Sequence, residues 1–382
     1  APGFAEAEES APLSTRDVPA ILSFLKQRER SGKAPIAGVL TMGSEIPEVL
    51  AAVAERFELA GPSRETARPA SDKFAMKQRF AECGVPTPWF AEVGTLAELR
   101  AHLALRGKLV LKPVDRSGSR GVFVLDPSCD PSCDVAELHR RSLEFSYSGR
   151  VQVEEYLEGP QLSTETVLWD GRAVTPGFAD RNYELAERFH PQVMENGGWL
   201  PSRFTGTERA RVEEVVERAA RALGITRGVA KGDVVFTRQG PMVIEIAARL
   251  SGGDLCESIV PLSSGVNYVR SVIRIALGEE PDWRELEPRF TRHVANRYFF
   301  PAPGRLLAIE GAEAVRAQPW VKKLAFAYRP GDVVPPATSH ATRAGVFVVV
   351  AEEREALERR VAWVYRTLRL VTESDATVRA AG

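Results

Sequence analysis

The chain has 382 residues, 44% hydrophobic and 26% charged, with a formal net charge of −1. That length exceeds what one hydrophobic core supports and calls for two or three packed units, while the near-neutral balance supplies no field for nucleic acid or a membrane surface, so the expected partners are small molecules. No apolar run is long enough to span a bilayer, the segment APGFAEAEESAPLSTRD lacks a secretory pattern, and four cysteines in so long a chain fit a reducing compartment, so the expected location is cytoplasmic.

In chain order, PAILSFLKQRER has helical apolar spacing, APIAGVLTM reads as a short buried strand, IPEVLAAVAERF as a second amphipathic helix and GPSRETA as a turn with helix-start chemistry. The alternation predicts an α/β domain over residues 1–90. Its opening on part of a unit, without Met, predicts earlier strands before residue 1. SDKFAMKQRFAECG is a helix capped by Ser71 or Asp72 and stopped by Gly84, and VPTPWF is an extended linker, with a boundary near residues 86–95.

Residues 91–159 read as a small α+β unit: helix TLAELRAHLAL, strand KLVLKPV, the polar turn DRSGSRG, strand VFVL, helix DVAELHRRSLEF and strand VQVEEYL. Within it, DPSCDPSCD sets Cys129 and Cys133 four apart. No second Cys or His pair stands near at ligand spacing, and Pro, Asp and Ser mark a solvent loop rather than a metal or redox pair. Residues 160–290 supply strands LSTETVLWDG and RAVTPGFADRNYE, the helix TERARVEEVVERAARALG and an expected hairpin of GVAKGDVVFT and GPMVIEIAAR. Residues 291–382 read as an α+β lid or appended domain.

The chemistry concentrates in three places. Asp233 and Glu245 fall on the two strands of the hairpin, where neighbouring carboxylates on an apolar face repel unless a cation or proton lies between them; Mg²⁺, a hard ion that shares oxygen ligands with phosphates, is the economical choice. Lys112 ends an apolar strand, where its charge calls for an anion, and the adjoining Ser117, Gly118, Ser119, Arg120 and Gly121 can turn backbone N–H groups toward phosphate oxygens. In VEEYLEG a strand runs out into glycine, so peptide groups around Glu154, Glu155 and Leu157 are candidates for reading an adenine edge. Arg249, four residues past Glu245, offers planar donors to a transferred phosphoryl group, with an ion pair to Glu245 as the plainer alternative.

Lys73 in DKFAMK, Lys112 in LVLKP, the SGSRG turn, VEEYLEG, the glutamate of STETVL and the run from Asp233 through Glu245 to Arg249 together resemble the ATP-grasp superfamily over roughly residues 36–290. The resemblance implies an ATP-grasp fold, with ATP between two α+β subdomains and Mg²⁺ or Mn²⁺ on the acids. It further implies Lys73 and Lys112 at the nucleotide, adenine on the peptide groups of Glu155 and Leu157, and ribose on Glu165 or Glu158. The implied activity converts a carboxylate to an acyl phosphate that an amine attacks, with release of ADP and phosphate. RYFFPAPGRLLAIEG and YRPGD resemble more loosely the amino-acid ligases of that superfamily, so the expected enzyme is a homodimeric carboxylate–amine ligase that makes an amide or peptide bond.

Two departures from the family pattern stand out. Ala247 replaces a usual Asn ligand, leaving Asp233 and Glu245 to suffice, Asp254 to substitute, or a second metal to bind weakly. Lys231 replaces a common His and adds a cation for phosphate or substrate. On the substrate side, the loop His190, Glu195, Asn196, Gly197, Gly198 and the loop Ser251, Gly252, Gly253, Asp254 are candidates, with Glu195 for an ammonium group and the glycines for close backbone approach. Arg297 and Arg329 are further candidates for a carboxylate. The competing readings are a purine-biosynthesis-type ligase acting on a ribonucleotide amine and a nucleotide-binding regulator without catalysis.

Overall fold

The computed structural model describes residues 6–128 and 134–374; Cys129 and Cys133 lie outside them. Helices Val18–Arg30, Pro47–Arg56, Arg64–Ser71 and Lys73–Glu82 make up the first unit. The strand expected in APIAGVLTM is absent. Met42 makes one parallel bridge with Leu250, and the Leu40 and Met42 side chains are exposed, so this segment has neither a ladder nor a core to make it a strand. Among the described residues this unit is therefore helical rather than α/β. The Asp72 cap forms as expected: its carboxylate accepts from the Phe74 and Ala75 N–H groups.

A four-stranded antiparallel sheet follows, from β1 (Phe90–Val93), β2 (Leu109–Pro113), β3 (Phe123–Leu125) and β4 (Val151–Glu155), in the order β1-β4-β2-β3. Helices Leu96–Arg106 and Val135–Phe145 pack on it around Leu99, Leu109, Leu111, Leu138 and Val153. Thr95 and Glu98 form the capping box that starts the first helix.

The larger sheet has eight strands. Five come from β5 (Gln161–Trp169), β6 (Arg172–Arg181), β7 (Gly198–Leu200), β8 (Arg227–Thr237) and β9 (Gly240–Ala247). β10 (His293–Phe299), β11 (Gly304–Glu310), β12 (Val321–Phe326), β13 (Val333–Val334), β14 (Gly345–Ala351) and β15 (Arg369–Thr372) follow. The order is β12-β14-β10-β7-β6-β5-β8-β9, while β13, β11 and β15 make a separate small sheet. The expected boundary near residue 290 thus falls inside one continuous sheet, because β10 pairs with both β7 and β14.

Alternation along the strands decides which residues can do chemistry. On β5 and β8 one face carries Leu162, Leu168, Ala230 and Val234. It packs on helix Gly206–Ala222, whose Val212, Val215, Val216 and Ala219 repeat at helical spacing. On the opposite face Val167 and Val229 join a second core with Tyr268 and Val272 of helix Tyr268–Ala276. Further along that same face stand Ser163, Lys231 and Asp233. Phe80 sits wholly buried where helix Lys73–Glu82 joins the first of these cores. Phe80→Ala is expected to lower unfolding free energy by about 3–5 kcal/mol in urea titration, and a loss below about 1 kcal/mol would show that this helix is not part of the core.

Candidate active site

Between the two sheets lies a cavity of about 560 Å³. Lys73, Lys112, Ser117, Gly118, Ser119, Glu154, Glu155, Leu157, Glu195, Lys231, Asp233, Glu245, Arg249, Gly252 and Gly253 all line it, although they are spread over 180 residues of chain. The register explains the convergence. Asp233 pairs directly with Glu245 across β8 and β9, and Lys231 lies two residues from Asp233 on the same face.

The carboxylates do not depend on a metal for compensation, as the repulsion argument supposed. Asp233 accepts from Arg181 Nη1 at 2.6 Å and is also paired with Lys231, while Glu245 meets Lys73 Nζ at 3.1 Å. Burial pushes the Asp233 carboxyl up, but Arg181 and Lys231 outweigh it and hold it well below the usual range. Arg181 also donates to Glu195 from Nε at 2.9 Å. Burial raises the Glu195 carboxyl, yet Arg181 and Arg343 bring it down to about 2, so Glu195 is an anion already engaged by a guanidinium rather than one open to an ammonium group.

At the other end, Lys112 Nζ stands 2.5 Å and Lys77 Nζ 3.2 Å from the buried carboxylate of Glu154. Lys77 follows Lys73 by four residues and so projects from the same helix face. Burial lowers its ammonium to about 8 against the pull of Glu154. Glu154 is therefore a side-chain partner of lysines. The peptide groups beyond it remain the candidates for a nucleobase edge: the Glu155 N–H is taken by Trp89, whereas the Leu157 N–H has no protein acceptor among the described residues.

Several expectations are corrected. Glu165 is wholly buried beneath the substrate-side loop and does not line the cavity. It accepts from the Ser251 N–H at 2.6 Å, from Ser251 Oγ at 2.7 Å and from Tyr268 Oη, and burial raises its carboxyl. Neither it nor exposed Glu158 can meet a ribose there; Gln161, on the same face of β5 and nearer the β4–β5 connection, lines the cavity instead. Gly121 stands behind the loop, where φ of +71° and contact with Phe145 and Pro113 require glycine. Asp254 is paired with Lys323 and Ala247 is buried apolar, so neither adds a ligand beside Asp233 and Glu245.

Arg297 is sealed in the core, donating to the Gly198 and Asn296 carbonyls over the Trp199 ring, with its guanidinium lowered by burial to about 10. Arg329 lies on an exposed turn away from the cavity. Of the loop from His190, Asn196 is engaged with Glu184 and Tyr365, and it is Glu195, Gly197 and Gly198 that reach the cavity.

Glu45, Arg181, His340 and Arg343 complete the site and were not anticipated. The Met42–Leu250 bridge and the Gly43 N–H to Leu250 bond carry Glu45 to Arg249 at 2.9 Å and Lys73 at 3.6 Å; Arg249 thus pairs with Glu45, not Glu245. Beside this bridge the chains touch: a Cβ on Gly252 would lie 3.3 Å from the Gly43 Cα. Arg343 donates to the Glu195 carbonyl at 2.5 Å. His340 holds the glycine-rich turn, its N–H donating to the Gly118 carbonyl and its Nε2 lying 3.0 Å from Ser119 Oγ. Because the Glu195 N–H donates to the same Nε2, that nitrogen is the acceptor and the Ser119 hydroxyl is the donor.

Comparison with known proteins gives this arrangement a family. Residues 70–253 match the ATP-grasp domain, and residues 297–373 match the L-amino acid ligase C-terminal domain 2. The fold is similar to that of the L-amino acid ligase from Bacillus licheniformis, with TM-score 0.80 and 24% identity, covering 96% of this chain and 88% of that one. In sequence the chain is 28% identical over 360 residues to the uncharacterized protein y4rH of Sinorhizobium fredii, covering 93% of this chain and 72% of that protein. It is 22% identical over 320 residues to dapdiamide A synthase of Enterobacter agglomerans, covering 80% and 71%. The chain thus carries an ATP-grasp domain followed by an L-amino acid ligase C-terminal domain. With that pair of domains the protein is an ATP-dependent carboxylate–amine ligase. No helix among the described residues is long and apolar enough to cross a membrane.

His340 lies outside the ATP-grasp match yet fastens the turn expected at the phosphates. With each hydrogen bond contributing roughly 1 kcal/mol, His340→Ala is expected to weaken ATP binding about tenfold in calorimetry, and His340→Gln, which keeps an acceptor, to recover most of it. Unchanged affinity in the alanine variant would show that the turn does not depend on His340.

Proposed function

We propose that the protein joins an amino acid, activated at its carboxylate, to an amine. The substrate carboxylate oxygen attacks the γ-phosphorus of ATP and ADP leaves; the amine nitrogen then attacks the acyl carbon, phosphate leaves, and the nitrogen gives up a proton as the amide forms. The observation that carries this reading is the pairing of Asp233 with Glu245 across two strands, in one cavity with Lys73, Lys112, Arg181, Lys231 and Arg249.

Two hard carboxylates on one face fit Mg²⁺ as protein ligands, with phosphate and water oxygens for the rest of its shell. Held by Asp233 and Glu245, the ion would neutralise charge on the phosphates. The remaining work falls to the protein. Lys73 and Lys231, now paired with those acids, are placed to exchange carboxylate partners for phosphate oxygens. Lys112 and the backbone of Ser117–Ser119 hold the nucleotide's charge, and Arg249, oriented by Glu45, offers donors where charge spreads during transfer. The turn pinned by His340 closes the cavity over the phosphates and keeps water from the activated acid. Peptide groups at Glu155 and Leu157, with Gln161 nearby, are the proposed adenosine contacts.

An amino acid is favoured over a ribonucleotide amine by the match of residues 297–373 to an L-amino acid ligase domain, together with the presence of Arg343 and His340 from that segment in the cavity. Glu245→Ala is expected to lower amino-acid-dependent ADP release by at least about 10²-fold while leaving the circular dichroism spectrum and thermal midpoint near those of the parent. A variant that turns over at the parent's rate would refute the assignment of the acids.

A further inference from the structure

Two apolar patches open on the cavity, and the nucleotide accounts for one. Val110, Tyr156, Leu157, Val235 and Ile244 surround the strand-end peptide groups and suit a flat heterocycle. The second patch lies across the charged centre, and the sheet register locates it. At one level Glu245 pairs with Asp233, Asp233 with Ser163, and Ser163 with Ala179. Because Asp180 pairs with Trp199 and Arg181 with Gly198, Leu200 continues the row on β7. From β9 to β7 the side chains facing the cavity therefore run carboxylate, carboxylate, hydroxyl, methyl, isobutyl.

Strands stand about 4.8 Å apart, so Ala179 lies about 10 Å and Leu200 about 14 Å from Asp233 across the sheet, a span that takes in a phosphate, a carboxyl group and a side chain in line. Leu255 and Ile259, just past the Gly252-Gly253 turn, also face this end. With Ala179 and Leu200 they belong to one packed cluster, which makes the patch the open edge of a core rather than scattered methyl groups. Gly253 keeps the rim clear: its φ is +68°, and a Cβ there would come within 3.1 Å of Tyr298 Oη.

Resting on the ligase reading above, we infer that one of the two joined substrates carries an apolar side chain, which seats against Ala179, Leu200, Leu255 and Ile259 while its reacting group faces Asp233 and Glu245. A charged side chain there would lose water and meet only hydrocarbon on that wall, whereas an apolar one removes both surfaces from water.

The test is a panel of L-amino acids, followed by ADP release and by calorimetry with Mg²⁺ and a nonhydrolysable ATP analogue. Valine, leucine, methionine or phenylalanine should exceed aspartate, lysine and serine in kcat/KM by about tenfold or more. Ala179→Leu, which fills the subsite, should lower kcat/KM for the larger apolar amino acids about tenfold, affect alanine least and leave KM for ATP within about twofold. Leu200→Ala, which enlarges the subsite, should move the preference toward larger side chains and decides the matter if Ala179→Leu does not fold. Preference for charged or hydroxyl side chains, an equal loss across the panel in Ala179→Leu, or an unmoved preference in Leu200→Ala would overturn the inference. Absence of ADP release with every carboxylate and amine pair would instead overturn the ligase reading beneath it.

Discussion

A charge held away from water must find a partner, and the architecture around the cavity follows from that constraint. Lys73 is enclosed between Glu245 and Glu45, Arg249 answers Glu45, and Arg181 spans Asp233 and Glu195. These groups come from the stretch before helix Pro47–Arg56, from the start of helix Lys73–Glu82, from strands β6, β8 and β9, from the segment just after β9 and from the loop before β7. Each ion pair consequently ties together parts of the chain that no local interaction would join. Burial works against ionisation at Glu45, Asp233 and Glu195 alike, and in each case neighbouring cations prevail, so the cavity keeps its charged form because it is assembled as a set.

The same constraint separates surface chemistry from structure one row away. Glu165 shares a strand face with Ser163, and sequence alternation alone makes both equally available. The Ser251 and Tyr268 donors roof Glu165 and turn it into a strut under the Gly252-Gly253 turn, while Ser163 stays open. Arg297 is a parallel case, with carbonyls and an indole ring enclosing a cation that a substrate carboxylate was expected to meet.

Much of the architecture was legible because periodicity is a local property. The helix from Lys73, the hairpin bearing Asp233 and Glu245, and the turn at Ser117–Gly121 all appear where spacing and resemblance put them. What sequence could not convey was depth and distant company. Alternation gives the parity of Glu165 but not its roof, and it gives no sign that Gln161, and not Glu165, reaches the cavity. Glu45 carries no signal beside the predicted helix IPEVLAAVAERF and gains its meaning from Arg249, two hundred residues on. His340 and Arg343 carry no spacing signal, since their partners lie in the turn at Ser119 and the loop at Glu195. The supposed strand at residues 34–42 failed for a related reason: its apolar run has a single bridge partner at Leu250, and composition does not reveal whether a neighbour will be there.

The near-contact of Gly43 with Gly252 has an evolutionary reading. A Cβ at position 252 would press on the Gly43 Cα, whereas one at position 43 would meet Gly252 only at ordinary contact distance and is disfavoured instead by φ of +73°, so drift at position 252 is conditional on the segment at 43. A lineage that enlarged residue 252 would first have to displace the segment carrying Glu45, unseating Arg249 in the process. Position 252 is thereby tied to a segment that lies some two hundred residues earlier in the chain.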